Sequence, residues 1–163
     1  MADREGPEAL GAIQGLGLLG SARAIPRLIE LVGGRDTTRQ AAASAALEVI
    51  SGHRVDVEEA HPRQRWEAWW ADARDKMSDH VRWRGGQPLG VRTLIDRLGA
   101  DDVSVRQTSY DELVIATGVR MPFDADGPWR MQLAHRGAWL RWYADNAHKM
   151  PQSGWLFNGD EVG

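Results

Sequence analysis

The chain has 163 residues, 42% of them hydrophobic, and a formal net charge of −3, which suits one compact domain or a short array of repeats. The absence of cysteine excludes disulfides, zinc–thiolate sites and thiol catalysis, and the negative charge argues against a general binder of polyanions. All but two of the 20 lysine and arginine residues are arginines, a bias that we attribute to genome composition. No signal peptide and no apolar run of membrane-spanning length is visible, so we expect a cytoplasmic protein.

Four helices are predicted in the first half of the chain, because apolar residues recur there at the i, i+3, i+4 spacing of one helix face. Proline, serine or aspartate precedes these stretches and glycine follows most of them, as helix starts and ends require. The four predicted helices cover residues 8–19, 22–32, 37–50 and 62–77.

The second half repeats the first. Trp66-Glu-Ala-Trp-Trp-Ala-Asp72 returns as Trp139-Leu-Arg-Trp-Tyr-Ala-Asp145, a shift of 73 in the numbering, whereas Ser51-Gly52 returns as Thr117-Gly118 after a shift of 66. The seven additional residues lie around positions 122–130, in the loop and the start of the last helix. We expect that helix from Pro128 to about Lys149, with Asp126 as its cap, and Asp101 or Asp102 as the cap of the helix before it.

These observations predict an all-α fold of about seven helices with no strand. A leading helix within residues 1–19 is followed by two three-helix modules, residues 20–77 and 86–150, with a linker at 78–85 and a tail at 151–163. Because each module buries one face against the next, we expect a short α-solenoid that forms one domain with a shared core. The tryptophans of the repeated stretch are predicted to be core residues rather than a ligand cage.

Two stretches resemble known families. Residues 16–31 read L-G-x-L-G-S-x-x-A-I-P-x-L-I-E-L and resemble bacterial HEAT repeats. The second half is similar to part of a HEAT-like family encoded alongside type VI secretion genes. The residues that carry this second resemblance are Arg84-Gly-Gly-Gln-Pro88, Leu94-Ile95, Arg106-Gln107, Glu112-Leu113, Met121-Pro-Phe123 and Gln132-Leu133. The resemblance implies a scaffold or adaptor, in a secretion or toxin–immunity setting.

The sequence contains only weak matches to the motifs of catalytic, cofactor-binding or metal-binding sites. The G-x-G-x-x-G match at Gly15–Gly20 lacks the strand and βαβ unit that a nucleotide site needs. The loop that contains Asp56, Glu58, Glu59 and His61 fixes no metal geometry. We therefore predict no catalytic, cofactor-binding or metal-binding residue and no enzymatic activity. The enzyme alternative, a HEAT-fold DNA glycosylase or lyase, depends on fold analogy alone.

The predicted function is that of an adaptor, scaffold or immunity-type binder of another protein. Arg82 and Arg84 are predicted to pair with acidic groups of the partner, with Trp83 beside them, and Trp155 and Phe157 to serve as apolar anchors. Two alternatives stay open: Arg82-Trp83-Arg84 could grip nucleic acid, against which the net charge argues, and the tail could dock on the tryptophan helices. The leading helix has an exposed edge that the charged N-terminus, a second copy of the chain or a partner could cover.

Overall fold

A computed structural model of the chain describes residues 7–56, 58, 60–150 and 155–161. These residues form seven α-helices and only very short strands, so the prediction of an all-α chain is confirmed. The chain divides into two compact units, residues 1–88 and 89–163. Within the described ranges, no helix combines the length and apolarity that crossing a bilayer requires.

Unit 1 contains four α-helices whose bounds agree closely with the prediction. Its third helix begins where the Asp36 carboxylate accepts hydrogen bonds from the N–H groups of Thr38 and Arg39, at 2.9 and 3.1 Å, and it is followed by Gly52 as predicted. Short 3₁₀ turns precede the second helix and extend the fourth. The helices are α1 (Pro7–Leu19), α2 (Ile25–Val32), α3 (Thr37–Ser51) and α4 (Pro62–Ala73), and the 3₁₀ turns are Ala22–Ala24 and Arg74–Lys76.

The core of unit 1 is built around Trp66, which is fully buried. Its Nε1–H donates to the Ser44 hydroxyl at 3.3 Å, so the one polar group of the indole has a partner. Trp69 meets the Trp66 ring edge to face, with the ring centroids 5.6 Å apart. Aliphatic side chains of α2 and α3 complete this cluster, and the prediction that the repeated tryptophans are core residues is confirmed for Trp66.

Unit 2 repeats this arrangement with three α-helices, α5 (Val91–Arg97), α6 (Val103–Thr117) and α7 (Trp129–Asn146), the last extended by the 3₁₀ turn Ala147–Lys149. Trp139 is fully buried and meets Trp142 edge to face at 5.6 Å, as Trp66 meets Trp69. Unit 2 therefore has its own core, built by the second copy of the tryptophan stretch.

The two predicted helix caps of unit 2 have different outcomes. Asp102 caps α6, since its carboxylate accepts from the Ser104 N–H at 2.7 Å. The prediction that Asp126 caps α7 is wrong: Pro128 is the N-cap residue, and α7 begins at Trp129. Instead, the Asp126 N–H donates to the Asp124 carboxylate at 3.1 Å, which closes a turn before the helix.

The expectation that the chain contains no strand is wrong, because each unit ends in a two-stranded antiparallel hairpin. β1 (Trp83–Arg84) pairs with β2 (Gln87–Pro88), and β3 (Leu156–Phe157) pairs with β4 (Asp160–Glu161). Both central residues of each turn have positive φ, at Gly85-Gly86 and at Asn158-Gly159. Gly-Gly and Asn-Gly are the pairs that the tight two-residue hairpin turn favours.

Each hairpin turn binds the C-terminal end of a helix in its own unit. The N–H groups of Gly85 and Gly86 donate to the carbonyls of Val49 and Ile50, at 2.8 and 2.9 Å. In unit 2, Asn158 and Gly159 donate in the same way to α6, to Ile115 at 3.0 Å and to Ala116 at 2.7 Å. These carbonyls lie in the last turn of the helix, where intrahelical donors are missing.

The hairpins include residues of the two stretches that were predicted to be a linker and a tail. The stretch at 78–85, predicted to be a linker, lies inside unit 1, and its last residues form part of the first hairpin. The predicted tail contains the second hairpin and lies inside unit 2. The repeated module is therefore two helices, a tryptophan helix and a closing hairpin.

Candidate functional site

The predicted contact residues Arg82 and Arg84 lie at the C-terminal end of α1. Arg82 donates from Nε to the Leu19 carbonyl and from Nη2 to the Leu18 carbonyl, at 2.9 and 3.0 Å. Arg84 is buried and donates to the same Leu18 carbonyl. A guanidinium group at a helix C-terminus binds unsatisfied carbonyls and complements the helix dipole. Both arginines therefore hold α1 within unit 1, and a role for them in binding a partner stays a prediction.

Trp83 lies between these arginines and belongs to the core of unit 1. Its backbone N–H donates to the Gly20 carbonyl at 2.7 Å, and its indole Nε1–H donates to the Ser78 carbonyl at 3.0 Å. Trp83 is 9% exposed and lines a cleft together with Trp69 and Met77.

The tail residues divide into a docked part and an open part. Leu156 is buried in the cluster that includes Trp142 and Met150, and the turn that follows it is hydrogen-bonded to the end of α6, so the hairpin packs into the core of its own unit. Trp155 is half-buried, whereas Phe157 is 55% exposed. Phe157 takes the position that Arg84 has in unit 1, and none of the described elements of unit 2 corresponds to α1. Among these elements, the Phe157 side chain thus lacks a counterpart of the helix that Arg84 contacts in unit 1.

A larger exposed surface lies at the start of α7, which we call the α7 extension (residues 129–134). The helix α4 begins at Pro62, whose counterpart after the shift of 73 is position 135. Since α7 begins at Trp129, almost two turns of additional helix precede that position. Trp129 is 65% exposed and Leu133 53% exposed, and residues four apart lie on one helix face.

The α7 extension borders a cleft of about 420 Å³ within unit 2. Arg106 lines it, and its guanidinium group is held by three main-chain carbonyls: Nε donates to Ala125 at 2.7 Å, and Nη1 donates to Ala100 at 2.6 Å and Asp101 at 2.8 Å. These bonds connect the start of α6 to the loops on both sides of the cleft. The cleft is lined by residues Leu98, Gly99, Ala100, Asp101, Arg106, Asp126, Gly127, Trp129, Gln132, Leu133 and Arg136.

Two side chains of α7 fix the opposite wall. The Gln132 amide donates to the carbonyls of Ala125 and Gly127, at 3.0 and 2.8 Å. Arg136 donates to the Asp96 carboxylate at 3.0 Å. Partial burial raises the pKa of Asp96, but the hydrogen bonds from Arg92 and Arg136 outweigh it, and the pKa of Asp96 is lowered overall.

These contacts determine what the cleft can do. Most of its polar side chains are engaged by the protein itself, while the apolar surfaces of Trp129 and Leu133 face solvent. The apolar contact surface at this site is therefore provided by Trp129 and Leu133, which stand beside the polar cleft. Among the described residues, no group of three or more metal-binding side chains comes together, and Glu59 of the acidic loop lies outside them.

The sequence carries a signal for this surface that apolar periodicity alone does not reveal. The seven additional residues around 122–130 marked the place where the two modules differ. Counterparts of Trp129 and Met131 after the shift of 73 are Asp56 and Glu58, so acidic residues of a loop in unit 1 are replaced by apolar residues of a helix in unit 2.

Comparisons with protein-family models, with curated proteins and with solved structures find no match to this chain.

Proposed function

We propose that this protein is a non-enzymatic protein-binding module, an adaptor or scaffold, and that the α7 extension is its main contact surface. The observation that carries the proposal is the exposure of Trp129 and Leu133 on one face of α7, beside a cleft whose polar walls are already fixed. Covering a large apolar side chain that remains in water lowers the free energy, by about 1.5–3 kcal/mol for a leucine that goes from fully exposed to fully buried and by less for the half-exposed Leu133. Tryptophan is also among the commonest interface anchors.

Phe157 is the second element of the proposed surface. It is the one predicted anchor whose side chain is mostly exposed, and its hairpin is fixed by two hydrogen bonds to α6. A rigid support reduces the entropy that is lost on binding. The HEAT-like resemblance and the cytoplasmic setting inferred from the sequence are consistent with a scaffold, and they remain part of the proposal.

The proposal is tested by comparing two double variants in quantitative pull-down from the native cell. Trp129→Ala with Leu133→Ala removes the proposed anchors, and we expect the specifically captured protein to decrease at least tenfold. The matched control, Leu18→Ser with Leu19→Ser, removes two half-exposed leucines of α1. It should leave capture unchanged, and circular dichroism should show that both variants remain folded.

Three results would count against the proposal. Capture that survives the loss of Trp129 and Leu133 would exclude the α7 extension as the contact surface. Capture that is lost in the α1 control instead would move the contact to α1, where self-association was also predicted from the sequence; sedimentation of the purified chain separates that case. Turnover of a substrate by the purified protein alone would overturn the non-enzymatic assignment.

A further inference from the structure

The two lysines of the chain, Lys76 and Lys149, are equivalent residues of the two units. Their positions differ by 73, the shift that relates the tryptophan helices, while arginine fills the other positions of this charge type. The same shift relates Trp69 to Trp142 and Asp72 to Asp145. Met77 and Gly86 also recur, as Met150 and Gly159. A set of five residue types has thus been kept in both copies although most surface positions have changed.

In unit 1 this set surrounds a cleft of about 300 Å³ between the tryptophan helix and the hairpin. Its walls are mainly apolar, because Trp69, Met77 and Trp83 contribute ring and thioether surfaces. Asp72 and Lys76 stand four residues apart at its edge. The lining residues are Ser51, Trp69, Asp72, Ala73, Lys76, Met77, Trp83 and Gly86.

Unit 2 brings the corresponding residues together. Trp142, Met150 and Leu156 belong to one apolar cluster, as Trp69, Met77 and Trp83 do in unit 1. The Met150 methyl carbon lies 3.6 Å from the position that a Cβ on Gly159 would take, so the hairpin closes over the end of the tryptophan helix here too. Leu156 in place of Trp83 makes this wall smaller.

The retained charges are not used in direct polar contacts within the described part of the fold. Among the described residues, no ion pair or hydrogen bond involves the side chains of Asp72, Lys76, Asp145 or Lys149. A cation in the last turn would complement the helix dipole equally well as arginine, the residue that this chain uses elsewhere. Lysine differs from arginine in carrying a compact ammonium group with three rotatable donors on a flexible stem.

We propose that the cleft of unit 1, and the surface that the equivalent residues form in unit 2, each bind one large apolar side chain of an extended peptide segment from a partner protein. The lysine ammonium donates to a main-chain carbonyl beside that side chain, and the aspartate carboxylate accepts from a main-chain N–H. The site is separate from the α7 extension, and each chain carries it twice.

The pairing of charges indicates this ligand class. One carboxylate and one ammonium give the edge of the cleft no net formal charge, which disfavours a strongly ionic ligand. A peptide main chain is neutral and presents one donor and one acceptor per residue, so an acceptor and a donor placed one helical turn apart match it. The apolar walls then select for the side chain, as in other modes of peptide recognition that combine main-chain bonds with a side-chain pocket.

The test uses the full chain labelled with ¹⁵N and a capped seven-residue glycine–serine peptide that carries one central tryptophan. The chain has eight tryptophans, whose indole N–H signals report on each site separately. Signals of Trp69 and Trp142, assigned from the variants Trp69→Phe and Trp142→Phe, should shift during titration. Those of the buried Trp66 and Trp139 should not shift, and the same peptide with alanine at its centre should move none of them.

Lysine variants assign the recognition to the two sites. We expect Lys76→Met to raise the Kd measured at Trp69 by about tenfold or more, the effect of losing a charge-assisted hydrogen bond, and to leave the titration at Trp142 unchanged. Lys149→Met should do the converse. The matched control is Arg74→Met, which removes an exposed cation from the same 3₁₀ turn and should change neither titration.

Equal shifts with the tryptophan and alanine peptides, or lysine variants that bind as the parent does, would overturn the inference. Shifts confined to one unit would also overturn it, because the argument depends on two equivalent sites. The Trp129→Ala, Leu133→Ala variant should bind the peptide normally. The two proposals can therefore fail separately.

Discussion

The two units share their interior and differ at their surface. Both enclose a buried tryptophan, a second tryptophan at its edge and a hairpin that closes the end of α3 or α6. Unit 1 has an additional helix, α1, held by Arg82 and Arg84, whereas unit 2 has a longer tryptophan helix with exposed apolar residues. Repetition has thus preserved the residues that fold the module, while the surfaces of the two copies differ.

One difference reaches the core. The Nε1–H of Trp66 has the Ser44 hydroxyl as its partner, but that of Trp139 has no hydrogen-bond partner among the described residues. Tyr110 stands in the place of Ser44, and its hydroxyl donates instead to the Met121 carbonyl at 2.7 Å. Tyr110 also stacks on Phe123, with ring centroids 5.5 Å apart, so this position serves the longer loop of unit 2 rather than the buried indole.

The largest effect is expected from removing the central indoles. Trp66→Ala and Trp139→Ala should each lower the free energy of unfolding of their unit by about 3–5 kcal/mol, since both side chains are fully buried and truncation leaves a cavity. Urea titrations followed by circular dichroism measure this loss. A cost that is negligible in either variant would show that the two tryptophans do not have equivalent roles.

A smaller and unequal effect is expected at the hairpin turns. In Gly86→Ala, the backbone keeps a φ of +73° and the new Cβ lies only 2.5 Å from the Ser51 carbonyl oxygen. In Gly159→Ala, the atom nearest to the new Cβ is the Met150 methyl carbon, 3.6 Å away. Backbone strain of this kind lowers the free energy of unfolding by about 1–3 kcal/mol. We expect Gly86→Ala at the upper end of this range, because its Cβ overlaps the Ser51 carbonyl, and Gly159→Ala at the lower end, because no atom obstructs its Cβ. Gly85→Ala, with positive φ but open space, is the control for strain alone. Equal losses at positions 86 and 159 would contradict the steric argument.

A single substitution can leave the buried indole N–H of unit 1 without a hydrogen-bond partner, as is the case among the described residues of unit 2. Ser44→Ala removes the partner of Trp66 Nε1 and also the hydrogen bond from Ser44 to the Val55 carbonyl. Leaving a buried donor unsatisfied costs about 1–3 kcal/mol, and we expect a loss within this range in thermal or chemical unfolding. Stability equal to that of the parent would mean that neither unit depends on satisfying this group.

The smallest effect concerns the cap of α6. Hydrogen bonds from the Ser104 side chain and backbone lower the pKa of Asp102, so the folded state prefers the carboxylate. This stabilisation is present above the unfolded pKa of about 3.9 and is lost as the pH falls through the lowered folded value. Asp102→Ala should therefore melt earlier than the parent at neutral pH and converge with it in strong acid. The control Asp101→Ala, which removes the neighbouring exposed carboxylate, should show no comparable pH-dependent difference.

The helices could be predicted from the sequence because each depends on local information: apolar spacing, a cap at Asp36 or Asp102, and a glycine after α3 and α6. The hairpins were missed because two-residue strands have no periodicity, although Gly85-Gly86 and Asn158-Gly159 were a usable turn signal. Arg82 and Arg84 resembled free cations because nothing in the linear sequence shows that the end of α1, distant along the chain, meets them.

The candidate site was harder to predict for a related reason. The extra residues before Trp129 are visible in the sequence. Which side chains of the additional helical turn remain exposed, however, depends on which face of the helix the rest of unit 2 covers. The lysines carried a clearer signal. Applying the shift of 73 to every position, rather than to the tryptophan stretch alone, pairs Lys76 with Lys149 without any structure.

The hairpin contacts also impose an order on how the chain can mature as it leaves the ribosome. In each unit, the residues that complete the C-terminal turn of α3 or α6 are made only after the whole tryptophan helix has followed that turn. The carbonyls at either helix end cannot receive these hydrogen bonds while the closing turn is still inside the exit tunnel. Premature termination before Asn158 would therefore leave the carbonyls of Ile115 and Ala116 without their hairpin donors. Protein synthesis thus has to pass the hairpin before a unit can reach its mature stability.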